Sequence, residues 1–199
     1  MVLIVLVLGC SHSNQIYDSW VNPDATKESI KFKKVAVFAL VLKSANRKYM
    51  EDAICARLVN TVAVPSYKIV DDNDMQKSDL VKTQLTEKGF DGALILRLID
   101  VNEREAYSPG VYPSYYYSFG GYYGYTWGYM YMYDSGGAYI TDKSYTAEVN
   151  IYSLKDDKLM WSGETISVNP ESIQEVVSEI SESVKNKLIS DGLLEPSQN

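Results

Sequence analysis

The sequence predicts a single α/β sandwich whose elements run β-α-β-α-β-β-β-α around a mixed sheet of strand order 2-1-3-4-5. Three observations point there. Short apolar, β-branched runs at residues 33–40 (KKVAVFAL) and 92–101 (GALILRLIDV) alternate with segments of helical periodicity, the pattern of parallel strands joined by right-handed crossovers. Two further strand-like runs, 143–154 and 158–168, are separated only by Lys155-Asp156-Asp157, so they add to one edge as an antiparallel hairpin. The length of 199 residues with 46% hydrophobic composition suits one core and leaves little room for a second.

Taken in order, residues 33–40 lack clean alternation, which fits a strand buried on both faces. Asn46 is placed to cap a helix through about Asn60, with Met50, Ala53, Ile54, Leu58 and Val59 at helical spacing. After Pro65, residues 66–70 are expected as the second strand, and residues 71–88 contain a helix closed by Gly89. The third strand, 92–101, is the most hydrophobic and should lie centrally. At the carboxyl end, Asn169-Pro170-Glu171 supplies a cap, a first-turn proline and an acidic charge at a helix start. Ile173, Val176, Val177, Ile180, Val184 and Leu188 then form one apolar stripe, closed by Gly192.

The amino terminus reads differently. Residues 1–8 are unbroken apolar, too short for a bilayer core that needs about 20 residues. They suit the end of a secretory signal, here residues 1–9. The four residues Val7-Leu8-Gly9-Cys10 resemble the lipobox of bacterial lipoproteins, which implies lipidation of Cys10 and a membrane partner reached through that anchor. Ser11, where Asp would signal inner-membrane retention, implies by the same resemblance an outer-membrane, periplasm-facing location. Residues 10–28, rich in Ser, Asn and Asp, are expected as a tether, residues 29–194 as the folded domain and residues 195–199 as a disordered tail.

The middle of the chain departs from ordinary composition. Residues 106–133 carry no charge, and residues 107–139 hold twelve of the seventeen tyrosines and seven of the twelve glycines. Tyr123, Tyr125, Trp127, Tyr129, Tyr131 and Tyr133 recur at period two, as do Tyr115, Tyr117 and Phe119, with Gly120-Gly121 between the runs. Period two is the strand period, so an aromatic hairpin is expected as an insertion at residues 106–140, between the third and fourth strands. A ladder of these nine rings would suit a protein partner, a glycan such as peptidoglycan, or a membrane interface. It would equally suit packing on the protein's own sheet.

Composition removes several functions. With 19 basic and 26 acidic side chains the chain carries −7 at pH 7, which repels nucleic acid. One His and two Cys are too few for a zinc site or disulfide framework, and the sequence calls for no cofactor or metal. The single histidine, His12, falls in the expected tether, so a His-activated nucleophile is not expected. Asp71, Asp72, Asp74 and Asp79 suggest a calcium loop, but Lys77 and Thr83 stand where its Gly and Glu are required. Arg97 interrupts the apolar third strand and needs a carboxylate; Glu148 and Glu164 are the candidate partners in an ion pair. The same three residues in an open cleft would be the sequence's best case for an enzyme. Cys55 reads as a small core residue.

Residues 64–67 (VPSY), 89–98 (GFDGALILRL), the Tyr/Gly insertion, 148–165 (EVNIYSLKDDKLMWSGET) and 190–194 (SDGLL) together resemble a widespread set of small bacterial envelope lipoproteins. That resemblance covers most of residues 33–194 and implies no catalytic residue. The order of elements is also similar to the α/β modules of TolB, CsgG and LpoB, which implies binding or assembly rather than catalysis. The sequence leaves the oligomeric state open.

Overall fold

The computed structural model describes residues 16–41, 43–100, 118–124, 144–168 and 172–195. In chain order these form β1 (Ile16–Val21), β2 (Lys34–Leu40), α1 (Ser44–Cys55), β3 (Val62–Pro65), a 3-10 turn (Ser66–Lys68) and α2 (Ser78–Glu87). There follow β4 (Gly92–Asp100), a short helix α3 (residues 119–124), β5 (Ser144–Ser153), β6 (Lys158–Val168) and α4 (Ile173–Ser190). One mixed sheet holds all six strands in the order β1-β6-β5-β4-β2-β3. The chain is an α/β sandwich. β2 pairs in parallel with both β3 and β4, and β4, β5, β6 and β1 continue antiparallel. The five strands anticipated from the sequence keep their relative order, and β1 is added at the far edge.

β1 corrects the expected tether. Residues 16–21 pair with β6, and Asn22 extends the contact by donating its backbone N–H to Met160 O and its side-chain amide to Leu159 O. The polar residues of this stretch are interspersed with Ile16, Trp20 and Val21, which pack against the core. Without β1, the outer side of β6 would leave its backbone groups open.

The second strand lies earlier than expected, at Val62–Pro65, and Ser66–Lys68 turn instead. Pro65 has no N–H to extend a ladder, and it is tolerated as the last residue of an edge strand. α1 starts at Ser44 with no side-chain cap and ends at Cys55, and Asn60 takes a left-handed φ of 63° before β3. α2 is confined to Ser78–Glu87, and the residues before it turn, with Asp71 accepting the N–H of Asn73. Ser172 caps α4 by accepting the N–H of Glu175. The expected Asn169-Pro170-Glu171 start lies outside the described residues.

Each face of the sheet has its own core. Under α1 and α4, Val35, Val37, Ala39, Leu94, Leu96, Val149 and Trp161 meet Met50, Ile54, Val176, Ile180, Val184 and Leu188. Trp161 lies across Gly163, where a Cβ would collide with the ring, and its Nε1 donates to Asp191 just past α4. The glycine is what lets the indole lie flat between sheet and helix. The opposite face carries Ala36, Phe38, Ala93, Ile95 and Tyr152, covered by Val81 and Leu85 of α2 and by Phe119, Tyr122 and Tyr123 of α3.

α3 also corrects the expected hairpin around Gly120-Gly121. Both glycines lie within the helix, and Phe119 and Tyr123 are fully buried instead of lining an open ladder. The energetics decide it. Burying each ring contributes roughly 1.5–3 kcal/mol, whereas each interior glycine costs a helix about 1 kcal/mol. The spacing 119, 122, 123 puts all three rings on one helical face, which a period-two strand cannot do.

Candidate functional site

The polar cluster nearest the insertion is built on sheet register. Arg97 of β4, Glu148 of β5, Glu164 of β6 and Asp18 of β1 are successive cross-strand neighbours, so their side chains share the α3 face. Arg97 Nε donates to Glu148 Oε2 at 3.0 Å, and its Nη2 lies 3.0 Å from the same oxygen. The Tyr122 hydroxyl donates to that oxygen at 2.8 Å, and Asn150 Nδ2 donates to Oε1 at 3.1 Å. Three side chains thus converge on one carboxylate whose side chain is 3% exposed. Glu164 is half-buried, stands next to Glu148 in the row and has contacts of its own. Beside Glu148, Asn150 Oδ1 and Ser162 Oγ are buried without a hydrogen-bond partner among the described residues.

Chemically, the arrangement neutralises charge and joins three segments. Guanidinium and phenol both donate to the carboxylate, and the carboxylate in turn holds α3 to the junction of β4 and β5. Tyr122 and Asn150 were missed by sequence reasoning. The signal for Tyr122 was the helical spacing Phe119-x-x-Tyr122-Tyr123, hidden inside a longer run of period-two aromatics. The signal for Asn150 was its i+2 spacing from Glu148 within the strand expected at 143–154, which puts both on one face.

A second buried carboxylate sits at the carboxyl ends of β2 and β3. Glu51 of α1 is fully buried and accepts from Ser66 Oγ at 2.5 Å, Ala39 N at 3.1 Å and Tyr67 N at 3.1 Å. Arg47 Nε lies 3.6 Å away, while Arg47 Nη2 binds Asp72 at 2.7 Å. The pairing of β2 with β3 stops at Val37 and Pro65, so the Glu51 carboxylate takes the Ala39 N–H that a longer β3 would have used. Burial pushes the Glu51 carboxyl above its usual range, against the donors from Ser66, Ala39, Tyr67 and Arg47 that pull it down.

The remaining candidates resolve simply. Cys55 is half-buried, and burial, reinforced by Glu51 and Asp52, pushes its thiol up to about 12, so it is not a nucleophile at neutral pH. The aspartates after β3 are dispersed, with Asp72 on Arg47, Asp74 on Lys77 and Asp79 in the first turn of α2. Among the described residues no group of His, Cys, Asp and Glu is placed to hold a metal ion, and no helix is long and apolar enough to cross a membrane. Cys10, Tyr115, Tyr117, Tyr125, Trp127, Tyr129, Tyr131 and Tyr133 lie outside the described residues.

No family model matches the chain, and no curated protein matches it. Among solved structures it is similar to a single-substitution variant of the PelC dodecamer from Paraburkholderia phytofirmans, at 8% identity and a TM-score of 0.47 over 86% of this chain and 95% of that one. A second PelC dodecamer structure from the same organism gives 8% identity and a TM-score of 0.44 over 91% and 97%. Lipoprotein GNA1162 from Neisseria meningitidis gives 12% and 0.41 over 79% and 98%.

Proposed function

We propose that this chain is a non-catalytic envelope lipoprotein, anchored at the outer membrane through Cys10 and facing the periplasm, whose domain is a binding or assembly module. The observation that carries the non-catalytic reading is the engagement of Glu148. Its two oxygens already receive Arg97, Tyr122 and Asn150, so the residues that offered the best case for a reactive cleft hold one another in place. A general base needs a free lone pair aimed at substrate. The anchoring reading rests on Val7-Leu8-Gly9-Cys10 and the apolar run before it.

The contact surface in this reading is the aromatic sequence flanking α3, and its partner is an envelope protein, peptidoglycan or lipid headgroups. Burial of Phe119, Tyr122 and Tyr123 favours a second reading, in which the insertion only completes the core. The test is sedimentation of the chain from Ser11 onward, which keeps β1, with peptidoglycan sacculi and separately with outer-membrane lipid vesicles. The comparison variant carries Tyr125→Ser, Trp127→Ser and Tyr129→Ser. Binding that the variant loses supports the contact surface and identifies the envelope layer. Equal sedimentation of both, or none of either, rejects glycan and lipid as partners of these rings. Labelling of the full chain with radioactive palmitate, lost on Cys10→Ser, tests the anchor.

A further inference from the structure

Strand register fixes what lies at each end of the sheet. β1 runs antiparallel to β6, so Ile16 stands beside Thr165, near the carboxyl end of β6. The same end holds the last residues of β4 and the first of β5, where Asp100 pairs with Tyr145 and Tyr145 with Ser167. Both junctions with residues 101–143 therefore open from it. α1 begins there as well. Glu51 reaches Ala39 N near the end of β2, and the turns of α1 before Glu51 lie farther out, because α1 leads back from β2 to the start of β3. The opposite end carries the start of β3, the turn from β5 into β6, and Asp24, whose carboxylate meets Lys158 at the start of β6.

Exposed side chains divide between the two ends. Tyr49 and Tyr145 are exposed at the first, whereas Val59 and Val62 are exposed at the second. A tyrosine ring has an apolar body and a polar tip, the combination that sits at the headgroup level of a bilayer; valine lacks the tip. The uncharged, tyrosine-rich residues 106–133 are also attached to the domain at the first end.

The sequence that carries the anchor arrives at that end too. Cys10 lies six residues before Ile16, and a chain of that length spans at most roughly 20 Å whatever path it takes. From Thr165, the neighbour of Ile16, back to Lys158 is seven residues of β6, about 23 Å of strand. The β5–β6 turn lies beyond. A domain standing on that turn would hold Ile16 farther from the bilayer than the chain to Cys10 can follow.

We propose that the end of the sheet holding Ile16, Tyr49 and Tyr145 docks on the lipid surface, with the two tyrosines at headgroup level and the strands rising away from the bilayer. The occupant is phospholipid because the short chain from Cys10, the exposed tyrosines and the two junctions of an uncharged aromatic sequence coincide at one end. The proposal rests on the anchoring reading of Cys10 and deepens it by naming the surface that meets the membrane.

The test uses the full chain carrying Cys55→Ala, purified in its palmitate-labelled form so that lipid occupies Cys10. One cysteine is added for a fluorescent label, Lys43→Cys or Tyr145→Cys at the docking end and Val59→Cys or Asp24→Cys at the other; all four positions are exposed. Each protein is reconstituted in phosphatidylcholine vesicles with and without lipid bearing a nitroxide on its headgroup. The expected result is loss of fluorescence in the Lys43 and Tyr145 variants and unchanged fluorescence in the Val59 and Asp24 variants. Quenching of the Val59 or Asp24 variant to the same extent, in protein that floats with the vesicles, overturns the orientation while the anchor stands. So does floating protein in which no label is quenched, since its domain is then held off the surface. A chain that takes up no palmitate and does not float removes the anchor, and the proposal with it.

Discussion

The two faces of the sheet are closed by different means, and the contrast explains the aromatic insertion. On one face α1 and α4 lay down aliphatic side chains at helical spacing, with α4 alone contributing Val176, Val177, Ile180, Val184 and Leu188 over 18 residues. On the other face α2 has 10 residues and buries only Val81 and Leu85. The shortfall is met by three large rings on a six-residue helix that has little stability of its own. A long amphipathic helix covers a sheet by length; a short one must do so by side-chain size.

The comparison breaks most visibly if α3 is not a genuine layer. Phe119→Ala should destabilise by about 3–5 kcal/mol, the range for large-to-small changes of buried aromatics, and so should Trp161→Ala on the opposite face. Urea unfolding of both variants checks this. A Phe119 variant within about 0.5 kcal/mol of wild type, as for ordinary surface changes, would mean that the second face is closed by something other than α3.

The two buried carboxylates sharpen the contrast through pH. Glu148 is met by a guanidinium at hydrogen-bond distance, whereas Glu51 has its cation 3.6 Å away and is held chiefly by neutral donors. The folded-state value of Glu51 is raised above the ordinary 4.5. Its contribution to stability is therefore fully present below about 4.5 and is lost as pH rises through the raised folded-state value. The stability of wild type relative to Glu51→Gln should fall across that interval and then level off. Denaturant melts of both proteins from acid to neutral pH read it, and a difference that stays flat or rises would contradict it.

The smallest effect is the most specific. Gly120 lies in α3, and a Cβ there meets nothing within 4 Å. Gly120→Ala should stabilise by up to about 1 kcal/mol, the helix-propensity difference between the two residues. In a hairpin turn with positive φ the same change would destabilise, so the sign of the shift in thermal midpoint separates the two conformations.

Most of the sheet was legible because its information is local. Residues 33–40 and 92–100 are apolar on both faces, the Lys155-Asp156-Asp157 loop forces an antiparallel return, and Gly192, at φ 75°, marks the end of α4. β1 was obscured because an edge strand that is buried on one side only can be largely polar, and Ser19, Asn22 and Pro23 resemble a linker in composition. Arg97 and Glu148 were legible as a buried charge and its counter-charge. Their convergence with Tyr122 was not, since Tyr122 meets Glu148 only through the packing of α3 on the sheet and lies in a segment whose period reads as strand.

By itself, then, the sequence determined the α/β class, the order of five strands, the long apolar stripe of α4 and the need of Arg97 for a carboxylate, because periodicity and buried charge act through near neighbours or through costs that any fold must meet. The tertiary structure alone decided that residues 16–21 are the sixth strand, that Glu51 replaces a missing length of β3, and that Phe119, Tyr122 and Tyr123 form a helix where the period of their surroundings reads as strand. In each case the local preference is weak, about 1 kcal/mol per residue or less. A groove or an open edge elsewhere in the chain outweighs it by the burial and hydrogen bonding that it offers.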